Sequence, residues 1–199
     1  LPEMVAATLF VMERGGIIDD ARKLLEAAQT AVRDQTKLVK ASIPQEQNTA
    51  KQAAVAINNH LPLIVGSEEN SSVLRRFKNE LNENAKVPAF YMALPEAYHD
   101  DIEGFATLTQ LSKTQPIFLR GHEETSGDIR TAEKLMELLV DLGYPKPIPF
   151  EGNGTDRLGW LMSAIAFGDY VSAYLAILRG IDPSSLALIP KFRAIRGQV

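Results

Sequence analysis

The sequence predicts an α/β fold: a three-layer α-β-α sandwich around a mostly parallel sheet, preceded by a helical segment. Three observations carry that expectation. Short apolar runs closed by glycine, proline or serine recur after residue 60. Helical patterns fill the intervals between them, and strands that alternate with helices build parallel β-α units with helices on both faces. Residues 1–59 show helical periodicity and no strand-like run of their own.

The elements follow in order. Residues 3–14 and 17–40 read as helices. In the second, Ile17, Ala21, Leu24, Leu25, Ala28, Val32 and Leu38 form a stripe with a period near 3.6. Asp19 and Asp20 fall in its first turn and Lys37 and Lys40 near its last, which suits the helix dipole. "IPQEQ" at 43–47 is a connector, and a helix runs from about Asn48 to Asn59. "LPLIVGS", 61–67, is a buried strand. A helix over 70–84 has Asn70 or Ser71 as N-cap and puts Val73, Leu74, Phe77 and Leu81 on one face. "VPAFYMAL" (87–94), "PIFLRG" (116–121) and "KPIPFEG" (146–152) are further strands, the last an edge strand because of its prolines. "SGD" opens a helix that ends near Leu142, a long helix covers 155–179, and a short tail carries Lys191. Residues 60–199 are thus expected to form one doubly wound domain.

Composition narrows the function. The 199 residues carry a formal net charge of −4, with 45% hydrophobic and 23% charged residues. That is ordinary globular composition, without the basic excess of a nucleic-acid binder. The chain has no cysteine, so disulfides and thiolate metal sites are excluded and a reducing, cytoplasmic setting fits. The first residues, "LPEMVAATLFVMERGG", do not read as a signal peptide and suggest a chain that begins inside a longer protein. Residues 158–178 are apolar and long enough to span a membrane. Asp169 near their middle, with Gly168, Ser163 and Ser172, points instead to a core helix, and no membrane partner is expected.

Glycine-rich signals are weak. "GSEENSS" and "GHEETSGD" each follow a strand and open a helix, but both are acidic and would repel phosphate. The histidines His60, His99 and His122 lack metal-site spacing, and no serine sits in a nucleophile elbow. Acid–base chemistry is the better candidate. Glu83, between Asn82 and Asn84, lies in the last turn of its helix, an electronegative place where a carboxylate is a candidate proton acceptor. His99, in "LPEAYHDD", is an imidazole, a side-chain type much used for proton transfer. Lys191, in "LIPKFR", is a basic residue of the tail. Each also has a plain structural reading: a solvated helix-end acid, a loop histidine beside two aspartates, and a surface lysine.

Two longer stretches carry a resemblance. "SSVLRRFKNELNENAKVPAFYMALPEAYHDDIEGF" (71–105) and "FGDYVSAYLAILRGIDPSSLALIPKFR" (167–193) resemble the C-terminal half of the archaeal and bacterial bifunctional phosphoglucose/phosphomannose isomerases. The combination of "LNENAK" with "LPE..H" is the specific part. The resemblance implies a C-terminal SIS (sugar isomerase) domain over 60–199, with 1–59 as the end of the preceding SIS domain and its linker helices. It implies that an aldose 6-phosphate and fructose 6-phosphate interconvert through a cis-enediol(ate). In that scheme His99 opens the sugar ring, Glu83 moves the proton between C2 and C1, and Lys191 stabilises the enediolate oxygens. No metal or organic cofactor is implied. A homodimer is, because in such enzymes the histidine can reach the pocket from the partner subunit.

The family's serine/threonine phosphate loop belongs to its N-terminal domain, and no SGNT-like run occurs here; "ETSGD" resembles it only superficially. The chain is therefore expected to hold the base, to lack the phosphate anchor, and to be inactive alone. Two alternatives stand beside this reading. One is a non-catalytic SIS module that binds a sugar phosphate as sensor or regulator. The other is a dimerisation domain with helices 3–40 as the contact.

Overall fold

Strand β1, Leu61–Ser67, is the centre of the molecule, and its sequence shows why: five consecutive residues, Pro62 to Gly66, are buried. A strand buried on both faces belongs inside a parallel sheet. In the computed structural model, which describes residues 1–111 and 113–197, β1 lies between β2 (Phe90–Leu94) and β3 (Thr114–Leu119). Strand β4 (Ile148–Phe150) extends the sheet beyond β3, giving the order β2-β1-β3-β4 with every pair parallel. The proline-bearing strand is an edge strand, as its sequence requires. Strand β1 coincides with its expected run and β3 starts two residues earlier than expected, while β2 and β4 are shorter than the runs 87–94 and 146–152, whose outer residues lie outside the ladder.

Helices cover both faces. Alternate strand residues point opposite ways, so Ile64, Ile117 and Leu119 join one core and Leu63, Val65 and Phe118 the other. The first core packs against α3 (Thr49–Ile57), α4 (Ser71–Glu83) and α7 (Arg157–Leu178). The second packs against α5 (Asp101–Leu111) and α6 (Ser126–Asp141). Helix α5 was not foreseen: its sequence, "DIEGFATLTQL", carries a glycine and too little amphipathic pattern to announce itself. Close approach fixes Gly66, where a Cβ would meet Leu74 Cδ2 at 2.9 Å and the Leu119 carbonyl oxygen at 3.2 Å.

The long apolar helix is a core element. Helix α7 packs against α2 (Ala21–Val39), α3 and α4 and buries Trp160, Phe167, Val171 and Leu175. Phe167 stacks on Phe150 with ring centroids 3.7 Å apart. Asp169 explains itself as the partner of Arg76, 3.1 Å away across the α4–α7 contact. Asp20 is the N-cap of α2 rather than a first-turn residue, accepting from the Lys23 main-chain N–H at 2.8 Å. Helix α1 (Pro2–Arg14) packs on α2 and buries no residue of its own. The tail after α7 is partly helical: α8 spans Leu188–Arg196 and also buries none.

Candidate functional site

A parallel sheet has two unlike ends, and the candidate residues divide between them. Each helix after a strand starts at the strands' C-terminal ends and returns to their N-terminal ends. Helix α4 leaves β1 and carries Glu83 back to the N-terminal end; its 13 residues rise about 20 Å. Helix α7 likewise delivers residues 179–197 to that end. His99 follows β2 through a single helical turn, Glu96–Tyr98, and stays at the C-terminal end. Glu83 and Lys191 therefore share one end of the sheet, and His99 of the same chain lies at the other.

At the Glu83 end, a groove of about 750 Å³ runs between the end of α4 and the start of α8. Asn82, Glu83, Lys86, Val87 and Pro88 form one wall and residues 185–189 the other. Lys191 lies on α8 just beyond that second wall and is exposed. The Glu83 carboxylate is exposed and, among the described residues, has no ion-pair partner. Lys86 donates from Nζ to the main-chain carbonyl of Glu83, not to its carboxylate. That ammonium meets one of the carbonyls a helix end leaves unpaired.

A polar network fixes where α4 ends. Arg76 pairs with Glu80 at 2.9 Å and with Asp169 at 3.1 Å. Asn84 donates to Glu80 Oε2 at 2.9 Å and to Ser172 Oγ at 2.8 Å. Glu83 thus lies between two points, Arg76 and Asn84, that are tied to α7. Burial raises the Asp169 carboxyl above its ordinary value, Arg76 opposes that rise, and Glu80 adds to it.

At the other end, the two acidic glycine loops meet. Residues 66–70 after β1 and 120–125 after β3 line a crevice of about 600 Å³. It lies between β1 and β3, where the sheet order reverses and ligands of open α/β sheets commonly bind. Its arginine is already paired. Arg120 donates to Glu124 Oε2 from Nε at 2.9 Å and from a terminal nitrogen at 2.7 Å, with both side chains largely buried. The Gly121 N–H donates to the other Glu124 oxygen. Thr125 and Asp128 form a reciprocal capping box at the start of α6. Asn70 donates to Ser67 Oγ at 2.9 Å. Glu68, Glu69 and Glu123 add negative charge, and His122 lines the wall. The Arg120–Glu124 latch was missed in the sequence, although its four-residue spacing was visible. His99 is exposed, and its described bond is from the main-chain N–H to the Glu96 carbonyl, 2.8 Å. Among the described residues no group of three or more His, Cys, Asp or Glu is placed to hold a metal ion.

Comparison with known proteins places this geometry. Residues 46–195 match the family model of the bacterial phospho-glucose isomerase C-terminal SIS domain. A bifunctional phosphoglucose/phosphomannose isomerase from Aquifex aeolicus is 24% identical over 90% of this chain and 56% of its own length. A protein of the same name from Caldicellulosiruptor bescii is 29% identical over 91% of this chain and 54% of its own length. The chain spans about half the length of these relatives. A glucose-6-phosphate isomerase-like protein from Thermus thermophilus superposes with a TM-score of 0.70 at 17% identity, covering 94% of this chain and 60% of the other.

Proposed function

The chain belongs to the bacterial phospho-glucose isomerase C-terminal SIS domains, and from that premise we propose that it is the base-bearing half of an aldose–ketose isomerase acting on hexose 6-phosphates. Residues 60–199 form the C-terminal SIS domain in this reading, and 1–59 end the preceding domain and link to it. The whole protein works in the cytoplasm as a homodimer, on glucose 6-phosphate or mannose 6-phosphate and fructose 6-phosphate.

Glu83 is the proton shuttle. Abstraction of a proton α to a carbonyl needs a carboxylate that no cation neutralises and that substrate can reach. The observation that carries the reading is that the Glu83 carboxylate lines a groove with no ion-pair partner among the described residues, whereas Glu124 and Asp128 in the crevice are both held. Glu83 takes the proton from C2, a cis-enediol(ate) forms, and the proton returns at C1. Lys191 stabilises the charge that gathers on the enediolate oxygens. His99 moves the protons that open the ring. Because it stands at the far end of the sheet from Glu83 of its own chain, it serves the site of a second subunit.

The experiment is complementation in the full-length protein. Glu83→Gln and His99→Asn variants are each expected to be inactive on fructose 6-phosphate. Mixing and reassociating the two should restore roughly a quarter of wild-type turnover, since half the dimers are mixed and each rebuilds one intact site. No recovery despite verified subunit exchange sinks the shared site. Full activity of Glu83→Gln sinks the base.

A further inference from the structure

The groove holds a cation that the isomerase reading does not use. Lys191 stands on α8 beyond the wall, but the lysine in the wall itself is Lys86. Three features single it out. It lies three residues from Glu83, and its ammonium is drawn to that residue's main-chain carbonyl. Its backbone is left-handed, with φ of 55°. Glycine adopts that conformation without steric cost, and other residues there are uncommon. Its charge also reaches the 182–189 segment, since it helps to hold the Asp182 carboxyl below its ordinary value, behind the Ser184 hydrogen bonds. A lysine in a conformation that glycine holds more easily, lining the groove three residues from Glu83, has a side chain placed for work beyond ending the helix.

We propose that Lys86 is a second catalytic group of this groove, a hydrogen-bond donor to the substrate oxygen that becomes negative. The inference rests on Glu83 being the base. When Glu83 takes the C2 proton, the C2–H electron pair becomes the C1–C2 double bond and the carbonyl pair moves onto O1. The proton then returns to C1 while the O2 proton passes to O1, so that O1 ends as a hydroxyl and O2 as the carbonyl oxygen. C1 is reduced, C2 is oxidised, and no outside oxidant is needed. Charge appears on O1 and then O2, on the carbons next to the base. An ammonium carries three donors. One is committed to the Glu83 main-chain carbonyl, no ion pair to the Glu83 carboxylate is formed among the described residues, and the remaining donors can meet those oxygens. Lys86 then addresses the enediolate from the wall that carries Glu83, and Lys191 from α8 beyond the other.

The test uses the full-length protein with fructose 6-phosphate as substrate. Lys86→Met and Lys86→Gly should each lower kcat roughly 100-fold with KM changed much less, the size of effect seen when one such donor is removed. Lys86→Arg should recover part of the loss. Lys86→Gly suits the left-handed backbone, so its melting temperature should stay near that of the wild type. Wild-type kcat in folded Lys86→Gly, alongside an inactive Glu83→Gln, removes Lys86 from the chemistry and leaves the base in place. A rise in KM with kcat unchanged overturns the proposal too, since it describes uniform binding. An active Glu83→Gln overturns the underlying reading instead.

Discussion

Arg120 at the strand C-terminal end is gripped by Glu124 through two of its nitrogens, while Glu83 at the opposite end keeps its carboxylate unpaired among the described residues. The crevice has the position in the sheet that usually binds ligand, and the groove does not. Charge decides between them. A phosphate entering the crevice would displace Glu124 from Arg120 and face Glu68, Glu69 and Glu123. A sugar entering the groove meets apolar residues 186–189 and the Glu83 carboxylate, the proposed proton acceptor. Position in the fold nominates the crevice, and the Glu83 carboxylate, unpaired among the described residues beside a groove whose lining holds no arginine gripped by a glutamate, is what the proposed assignment rests on.

The largest effect expected from that contrast is on turnover. In the full-length protein, Glu83→Gln should lower kcat by about a thousandfold with little change in KM, within the range for loss of a positioned base. Glu124→Gln, which loosens the crevice latch, should leave kcat within about twofold under the same logic. Steady-state kinetics on the two variants tests the contrast directly; a crevice variant that loses as much as the groove variant would reverse the assignment. The 199-residue piece by itself should show no measurable turnover of fructose 6-phosphate, because binding of the remote phosphate positions the reacting carbons.

Much of this was legible in the sequence. The parallel sheet followed from the alternation of strands with helices after residue 60, and the burial of β1 from its short apolar run. The edge strand followed from Pro147 and Pro149, and the core role of α7 from Asp169. Two helices were not legible, for different reasons. Helix α5 lacks a clear stripe. Helix α8 has one, but Leu188, Phe192 and Ile195 remain largely exposed, so nothing in the chain's own core demanded it. The candidate residues were found by the resemblance, but their division between two ends of the sheet was not. Sequence separation gives no hint of it: Glu83 and His99 stand close together in the chain, yet one strand crossing the sheet lies between them. Lys86 escaped for a related reason, since its left-handed backbone and its place in the groove wall exist only after α4 has ended.

Stability should separate the two ends next. Gly66→Ala forces a Cβ against Leu74 and the Leu119 carbonyl beneath the crevice. Overpacking of this kind costs about 1–3 kcal/mol. Chemical denaturation should show that loss while kcat, measured well below the melting point, barely moves. Asn84→Ala removes the bonds to Glu80 and Ser172 that tie down the last turn of α4. It should cost about 1–2 kcal/mol and also lower kcat roughly tenfold, because misplacing a reacting group is expensive in rate. Equal stability losses with unequal kinetic losses would establish that the groove, and not the crevice, depends on local geometry. Equal kinetic losses would erase the distinction.

The smallest effect is a difference of sign between two aspartates. Asp128, in the capping box at the crevice, is held below its ordinary value of 3.8 by hydrogen bonds from Thr125. Its contribution to stability is therefore present above about pH 4 and is lost as pH falls through the lowered folded value. Asp169, in the network behind the groove, is raised above 3.8, chiefly by burial. Its term runs the other way: present in full below the unfolded value, it is lost as pH rises through the raised folded value. Urea denaturation of wild type, Asp128→Asn and Asp169→Asn over about pH 3–7 should resolve both. Relative to wild type, Asp128→Asn should look least damaging at the acid end. Asp169→Asn should look least damaging toward neutrality, where the wild-type carboxylate bears its full desolvation cost. Parallel profiles for the two variants would mean that Arg76 overrides burial at Asp169, and the groove's supporting network would then be as thoroughly charge-paired as the crevice.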